Sequence, residues 1–375
     1  MPSQRPSYDV VIIGAGFSGI YLLHNLRKLG YTVRVYETGS DLGGVWHWNK
    51  GLGDVVVLTE KYPSADELRG YFAHLERVLG VKKDIEFGRT VTGAWFDKAA
   101  EGKRKWTVET DDGRVTQCQL LLSCVGLMTE RYVPDIPGLE TFQGRICHSA
   151  SWPKGAVDVA GKKAAVMEQA HQANREVYDF WVKKTRARIN DARLQKILAP
   201  DEPPHPINTK RSSMENDYFE QFNKPNVHLV NLREPGCVIA AIKPDGLVLQ
   251  NGTFYPLDVI ALATGFNSYT GSLTQIPRLR NTSGITLAEE WAQDGASSYL
   301  GLARRGYPNM FLCYALHGPS ALSSGPVSIE LQARWIIEAI RKIDEPGLTY
   351  IEPTEEAEKT WKATINQITE MTLFP

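Results

Sequence analysis

Apolar residues fall along the chain in two alternating periods. Tyr8–Gly16 (YDVVIIGAG) is a short β-rich apolar run ending in glycines, and Tyr31–Glu37 (YTVRVYE) is another, with an amphipathic stretch between them. Strand, helix and strand in that order form a βαβ unit and imply a parallel sheet. Residues 64–80 (SADELRGYFAHLERVLG) predict a capped helix. Ser64 and Glu67 stand at capping-box spacing, while Leu68, Tyr71, Phe72, Leu75, Val78 and Leu79 keep the 3.6 period. From Ile85 to Val125 the pattern turns to alternating strands, with Asp112-Gly113 as a hairpin turn. Residues 161–167 (GKKAAVM) begin like the strand that opens a nucleotide-binding fold, and residues 171–198 read as helical and basic. A proline-rich connection follows at 199–206 (APDEPPHP). Asn226–Leu232 (NVHLVNL) and the hairpin at 246–266 return to β, and a pair of helices follows Gly325 and Thr354. The fold class is therefore α/β.

Composition narrows the choice of partner. A length of 375 residues predicts roughly two domains with a sizeable buried core. A formal net charge of -1 gives no electrostatic reason for a nucleic-acid or acidic-membrane partner. The longest apolar runs, near Leu120–Met128 and Met310–Leu316, fall short of the roughly 18 residues that span a bilayer, so no membrane span is expected. The opening MPSQRPS leads into a strand without an apolar signal segment. The five cysteines (118, 124, 147, 237, 313) lack Cys-x-x-Cys spacing, which predicts reduced, mostly buried thiols. These features predict a cytoplasmic protein that leaves the sequons at Asn251 and Asn281 unmodified. No metal cluster is expected.

Candidate chemistry begins at Gly14-x-Gly16-x-x-Gly19, between a strand and a helix, with Glu37 about twenty residues on at the end of the next strand. The first glycine allows a tight turn and the second lets the backbone approach a pyrophosphate. The third packs helix on strand, and the helix N-terminus, opened by Phe17 and Ser18, faces the phosphate charge. Glu37 would accept hydrogen bonds from an adenosine ribose, and its charge opposes a 2′-phosphate, so the site calls for FAD or NAD. Asp41–Trp48 (DLGGVWHW) reads either as a surface turn with core tryptophans or as backbone laid against a flat cofactor by Gly44, Val45 and Trp46. Leu257–Phe266 (LDVIALATGF) reads either as an ordinary core strand or as one that returns the chain to the dinucleotide domain, with Gly265 passing close to a flavin. A lone histidine such as His148 is more often a satisfied core residue than a catalyst, but the ordered spacing Phe142-x-Gly144-x-x-x-His148-x-x-x-Trp152-Pro153 is specific.

The glycine motif, GGVWHW, the Phe142–Pro153 fingerprint, residues 208–230 (NTKRSSMENDYFEQFNKPNVHLV), LDVIALATGF, SYLGL at 298–302 and SALSSGPVSIE at 320–330 follow in order along nearly the whole chain. In that order they resemble the class B flavin monooxygenases, and among these the Baeyer–Villiger monooxygenases of the phenylacetone, steroid and cyclopentadecanone monooxygenase branch. The resemblance implies a two-dinucleotide-binding-domain flavoprotein with a discontinuous Rossmann-like FAD domain. FAD is the implied cofactor, with NADPH as reductant. O2 and a small ketone-like molecule, possible in secondary metabolism, are the implied substrates. Arg211 matches the arginine that lies over the flavin and steadies negative charge during oxygen transfer. Lys210 matches a lysine that helps hold the NADPH 2′-phosphate, and Ser320–Gly325 matches a loop and helix start facing the flavin. His148 and Trp152 match positions that couple the two domains.

The chain departs from the family pattern in two internal places. After Asn49-Lys50 the sequence GLGDVVVLTEKYP stands where relatives carry the aspartate partner of the catalytic arginine. After Met167 a second glycine hairpin should follow, yet the sequence gives Glu168-Gln169-Ala170-His171, so the NADP-binding domain is expected to be truncated and its site largely missing. Past TLFP at 372–375, relatives continue into a segment that covers the cofactor. A naturally shortened flavoprotein and a gene model with skipped segments both fit these departures. The expected divisions are 1–155 (first part of the FAD domain), 156–235 (remnant of the NADP domain) and 236–375 (return of the FAD domain and terminal helices). The expected activity is Baeyer–Villiger oxygen insertion beside a ketone or oxidation of a heteroatom. The alternative is a flavoprotein without NADPH use that performs a redox-neutral cyclisation or isomerisation, or is inactive.

Overall fold

The computed structural model describes residues 5–48, 65–98, 105–148, 164–168, 175–203, 215, 217–268, 270–318 and 324–370. In chain order the elements begin with β1 (Ser7–Ile13), α1 (Phe17–Lys28), β2 (Val33–Glu37), α2 (Val45–Trp48), α3 (Ala65–Leu79) and β3 (Ile85–Phe87). Then come β4 (Val91–Phe96), β5 (Trp106–Thr110), β6 (Val115–Ser123), β7 (Arg145–His148), β8 (Ala164–Glu168), α4 (Arg175–Arg186), α5 (Ala192–Leu198) and α6 (Tyr218–Gln221). The hairpin strands β9 (Ile239–Lys243), β10 (Gly246–Leu249) and β11 (Phe254–Pro256) precede β12 (Val259–Ala263) and α7 (Gly271–Thr274). The chain closes with β13 (Arg278–Arg280), α8 (Leu287–Asp294), β14 (Met310–Leu312), α9 (Gly325–Ile343) and α10 (Glu355–Glu370).

The chain folds into two compact units, one of Met1–Tyr132, Ala150–Lys154 and Gly265–Ile368 and a second of the remainder. In the first unit an eight-stranded sheet runs β13-β4-β5-β6-β1-β2-β3, with β14 as the eighth strand, paired to β6 off this path. The long β6 changes neighbour along its length: its first half pairs antiparallel with β5, and Leu121–Ser123 pair parallel with β14. β1 lies parallel to both β6 and β2, with Val10 opposite Leu120 and Val33. Its unbroken apolar run follows from this position, because a parallel strand is covered on both faces. Val10 and Ile12 point into a core shared with Leu22, Leu23 and Leu26 of α1 and Ala333, Ile336 and Ile340 of α9. Val11 and Ile13 point the other way, against Tyr36, Leu121, Trp106 and Met310. On α3, Phe72 is buried and Leu75 and Leu79 pack on the core, whereas Tyr71 and Val78 turn outward. Ser64 lies outside the described residues.

The second unit holds a parallel three-stranded sheet, β7-β12-β8, and an antiparallel one, β11-β10-β9. Phe142, Ile242, Leu247, Leu249, Ile260 and Leu262 form its core, and Ile189, Leu194 and Phe219 a smaller one among the helices. These pairings draw boundaries other than those expected at 155 and 235. β7 and β9–β12 belong to the second unit because β12 pairs with β7 and β8, and the chain re-enters the first unit at Gly265.

Two local expectations are corrected. Residues 226–232 form no strand. The Asn231 side chain accepts from Arg233 N at 3.1 Å and its carbonyl from Glu234 N at 3.0 Å, which turns the chain where a strand would continue. The helical stretch at 171–198 is broken, because the Asp191 carboxylate caps the Arg193 and Leu194 N–H groups and so starts α5 afresh. Strand β9 has no counterpart among the elements that the apolar pattern predicts. No helix among the described residues is long and apolar enough to cross a membrane.

Candidate dinucleotide site

The site is built where β1 gives way to α1. Gly14 has φ +102°, and a Cβ there would stand 2.6 Å from Cys124 O, so both conformation and space demand glycine. Its N–H donates to Tyr36 O at 2.8 Å, tying the turn to β2. One residue on, Ala15 N–H donates to Glu37 Oε2 at 2.6 Å, and Gly39 N–H donates to Oε1 at 2.6 Å. Glu37 is 5% exposed. A carboxylate has about four lone-pair positions; these two bonds leave acceptor capacity for ribose hydroxyls while fixing the side chain. Gly16 occupies the N-cap of α1 with no side-chain cap, the first turn carries no acidic residue, and Arg27 and Lys28 sit in the last turn. The leading N–H groups are thus open to an anion, with a favourable helix dipole. A Cβ on Gly19 would lie 1.9 Å from Gly14 O, so this glycine lets α1 press directly on the turn.

The second glycine pair closes on the first. Gly43 N–H donates to Ala15 O at 3.2 Å, and a Cβ on Gly44 (φ +55°) would stand 3.0 Å from Gly16 Cα. This contact sets the DLGGVWHW turn beside the first glycine motif. Val45 and Trp46 are half-buried on α2, with Trp46 against the core, and Trp48 is exposed. The Phe17 ring stands 4.7 Å from the Phe72 ring, and Ser18 is buried. Gly14, Gly16, Phe17, Ser18, Gly19, Glu37, Gly44, Val45 and Trp46 therefore belong to one cluster of loops in the first unit. Gly265 (φ +82°) lies in the same unit, where its carbonyl accepts from Tyr132 N–H at 3.0 Å.

The described part of the fingerprint, Phe142 to His148, falls in the second unit. Phe142 is buried, and a Cβ on Gly144 would lie 2.3 Å from Asp258 O and 2.6 Å from the Phe142 ring. Arg145 N–H donates to Asp258 O at 2.8 Å, so Gly144 lets β7 start flush against β12. His148 is buried at the end of β7 opposite Leu262. Trp152, Pro153, Lys210, Arg211 and Ser320–Ser323 lie outside the described residues, as does the chain between Glu168 and Arg175, where the sequence has no glycine.

Residues 298–302, quoted above only for the resemblance, and the loop that follows β14 form a pair whose strained backbone the sequence analysis missed. Leu300, Tyr314 and His317 all have positive φ, at 56°, 60° and 64°. A Cβ on Gly301 would fall 2.4 Å from Gly318 Cα, and Ser298 Oγ donates to Leu316 O at 2.8 Å. Burial holds the His317 imidazole below its ordinary pKa, with Lys362 acting in the same sense. In open parallel sheets, ligands bind beyond the carboxyl ends of the strands, which is where these loops sit. Only Gly301 and Gly318 could have signalled them. Among the described residues no group of three or more His, Cys, Asp or Glu side chains could hold a metal ion.

The turn, the uncapped helix and the buried acid have the arrangement of a dinucleotide-binding fold. Residues 12–58 match the NAD(P)-binding Rossmann-like domain. The FAD-binding monooxygenase acrE of Aspergillus aculeatus is 34% identical over 489 aligned positions, covering 98% of this chain and 81% of that protein. Cyclopentanone 1,2-monooxygenase of a Comamonas species is 29% identical over 100% of this chain and 88% of its own. The crystal structure of OTEMO in complex with FAD and NADP superposes with a TM-score of 0.87 at 27% identity, covering 99% of this chain and 92% of that one. The chain belongs to the FAD-binding monooxygenases of the Baeyer–Villiger type. The 489 positions aligned with the Aspergillus protein exceed the 375 residues here by 114, so at least that many carry no residue of this chain.

Proposed function

We propose that this protein inserts one oxygen atom of O2 beside the carbonyl of a small organic ketone, giving an ester or lactone. The observation that carries the reading is the Glu37 carboxylate, buried and fixed by Ala15 and Gly39 N–H at the end of β2, facing the glycine turn of an uncapped helix. That arrangement fits the adenosine ribose and pyrophosphate of FAD, and relatives over the whole chain are FAD-binding monooxygenases. Glu37 would hold the ribose hydroxyls and the α1 N–H groups the pyrophosphate. The bare backbones of Gly16 and Gly44 would let the cofactor lie close. Bound FAD supplies the electron pair that activates O2. The second oxygen atom takes up two protons and leaves as water.

Arg211 is the cation assigned to the negative charge that develops at the carbonyl oxygen, since a guanidinium donates several hydrogen bonds and keeps its proton. Lys210 is assigned to the 2′-phosphate of NADPH, within a nicotinamide site that the sequence after Met167 leaves short. The protein is placed in the cytoplasm, in keeping with its free cysteines. The test supplies FAD-loaded protein with electrons chemically, then adds ¹⁸O2 and a panel of cyclic and aryl ketones. One ¹⁸O atom in a lactone or ester is the expected product. Reoxidation with no labelled product from any ketone or heteroatom substrate would overturn the reading in favour of a redox-neutral or inactive flavoprotein.

A further inference from the structure

The neighbours β2, β1, β6 and β14 give the carboxyl edge of the first unit a direction. Ser123, at the end of β6, is register partner to both Ile13 of β1 and Leu312 of β14, so these three parallel strands end level. Glu37 lies on the β2 side of the glycine turn. A dinucleotide across this edge, its adenosine ribose on Glu37, would run over β1 toward β14. Its far half would then reach the loop that follows Leu312. With about 4.7–4.9 Å between adjacent strands, that loop starts roughly 10 Å from the turn.

The loop is held in a shape that it would not keep alone. Tyr314 and His317 have φ of 60° and 64°, conformations that persist in non-glycine residues only where the surroundings over-determine them. One restraint comes from Gln332, half-buried in the middle of α9. Its Oε1 accepts from Tyr314 N–H at 2.7 Å, and a Cβ on Gly318 would collide with its Nε2. One carboxamide therefore meets both ends of residues 314–318. The Tyr314 ring in turn reaches the first residue of α9, since a Cβ on Gly325 would stand 3.2 Å from Tyr314 Oη. That helix opens at Ser324 with no side-chain cap and no acid in its first turn. Loop and helix start thus form one restrained group on the edge toward which the dinucleotide would run.

We propose that Gln332 is a positioning residue for the cofactor. It holds residues 314–318 and the start of α9 in place for the half of FAD beyond the pyrophosphate, acting through Tyr314 and Gly318. This role rests on the FAD reading above. Without the bond to Tyr314 N–H the strained loop would sample other shapes, and FAD would have to reorder it on binding. Affinity would then fall although no contact to the cofactor had been deleted.

Two substitutions test this role. Gln332→Met keeps an unbranched side chain but loses the amide acceptor, whereas Gln332→Glu keeps an acceptor for Tyr314 N–H. In cofactor-free protein, peptides covering residues 313–318 should exchange hydrogen faster in Gln332→Met than in wild type, and Gln332→Glu should restore the protection. FAD titration should show Kd raised about 3–10-fold in Gln332→Met, as for one neutral hydrogen bond lost, and returned toward wild type in Gln332→Glu. A lower melting temperature with wild-type FAD affinity in Gln332→Met would make the residue merely structural and overturn the proposal. Wild-type peptides at 313–318 that exchange as fast as unprotected chain would overturn it without any variant, so a variant that fails to fold does not decide the outcome. A wild type that takes up no FAD would overturn the cofactor reading and this role with it. Protected 313–318 peptides in that same protein would show that the FAD reading, and not the Gln332 restraint, had failed.

Discussion

Replacing Gly19 and Gly16 in turn by alanine should separate the glycine that builds the fold from the glycine that admits the cofactor. At Gly19 the new Cβ would stand 1.9 Å from Gly14 O and 3.0 Å from Gly14 C, both backbone atoms. The helix must therefore back away from the turn by more than about an ångström, an overpacking that costs about 1–3 kcal/mol or more. Alanine returns up to about 1 kcal/mol as the better helix former, leaving a net loss of about 1–2 kcal/mol. At about 2–4 °C per kcal/mol, the apo protein should melt roughly 2–8 °C lower. Gly16 differs. Its φ of -81° suits any L-residue, and its Cβ would stand 3.5 Å from Gly44 Cα, an ordinary separation. Apo Gly16→Ala should melt at or slightly above wild type, helped by about 0.4–1 kcal/mol through its less flexible unfolded chain. Its methyl, however, would hold the pyrophosphate off the α1 N–H groups. One charge-assisted hydrogen bond lost is worth about 1.5–3 kcal/mol, or about 10–150-fold in Kd. Differential scanning fluorimetry without FAD and fluorescence titration with FAD read the two effects. Wild-type melting for Gly19→Ala, or wild-type FAD affinity for Gly16→Ala, would refute this division of roles.

Glu37→Gln leaves one backbone donor facing an amide NH2 group instead of a carboxylate oxygen, so it should lower apo stability by about 1–3 kcal/mol and weaken FAD binding, read by urea unfolding and FAD titration. Glu358 is buried against Arg304, its carboxylate also accepting from Ser297 Oγ and Arg305 N at 2.9 Å. Glu358→Ala should therefore cost up to about 3–5 kcal/mol by removing the main partner of buried Arg304 and leaving it only the Glu290 carboxylate at 3.8 Å and the Ser297 hydroxyl, with α10 amides exchanging first in hydrogen-exchange mass spectrometry. Acidification tests His317, whose folded pKa lies below its unfolded value of 6.5. Between the two values the unfolded chain binds more protons, so the stabilising contribution is complete above about pH 6.5 and declines as pH falls through the folded value. His24 shifts in the same direction. His317→Gln should shrink, without abolishing, the drop in melting temperature from about pH 7.5 to about pH 5.5, and an unchanged drop would remove His317 from the argument.

The first unit's cofactor turn was legible because everything it needs is local. Gly14, Gly16, Gly19 and Glu37 lie within one βαβ unit, and apolar periodicity marks its two strands and helix. Gly44 was ambiguous in sequence, since its contact with Gly16 crosses 28 positions and only the folded turn brings the backbones together. The unit boundary was harder still. The apolar run at Val259–Ala263 reads the same whether its neighbours are β1 or β7 and β8, and pairing at that range has no local signature. The break before α5 carried a readable signal in Asp191, an N-cap residue placed inside an otherwise helical pattern. Tyr314 and His317 carried none, because positive φ is expected at glycine and tertiary contacts with Gln332 and Ser298 hold them there instead.

NADPH itself tests the proposed combination of a complete FAD site and a curtailed nicotinamide site. FAD-loaded protein is titrated anaerobically with NADPH while flavin absorbance is followed by stopped flow, and dithionite is added last. Without a second glycine hairpin, two or three charge-assisted bonds to the pyrophosphate would be missing, each worth roughly 1.5–3 kcal/mol, which would move a micromolar site to about millimolar or weaker. Lys210 alone, a single ammonium, would restore neither affinity nor orientation for hydride transfer. The expected result is a yellow protein that stays oxidised through the micromolar range of NADPH and bleaches at once with dithionite. Saturable bleaching at micromolar NADPH would contradict it, and so would a folded protein that binds no FAD.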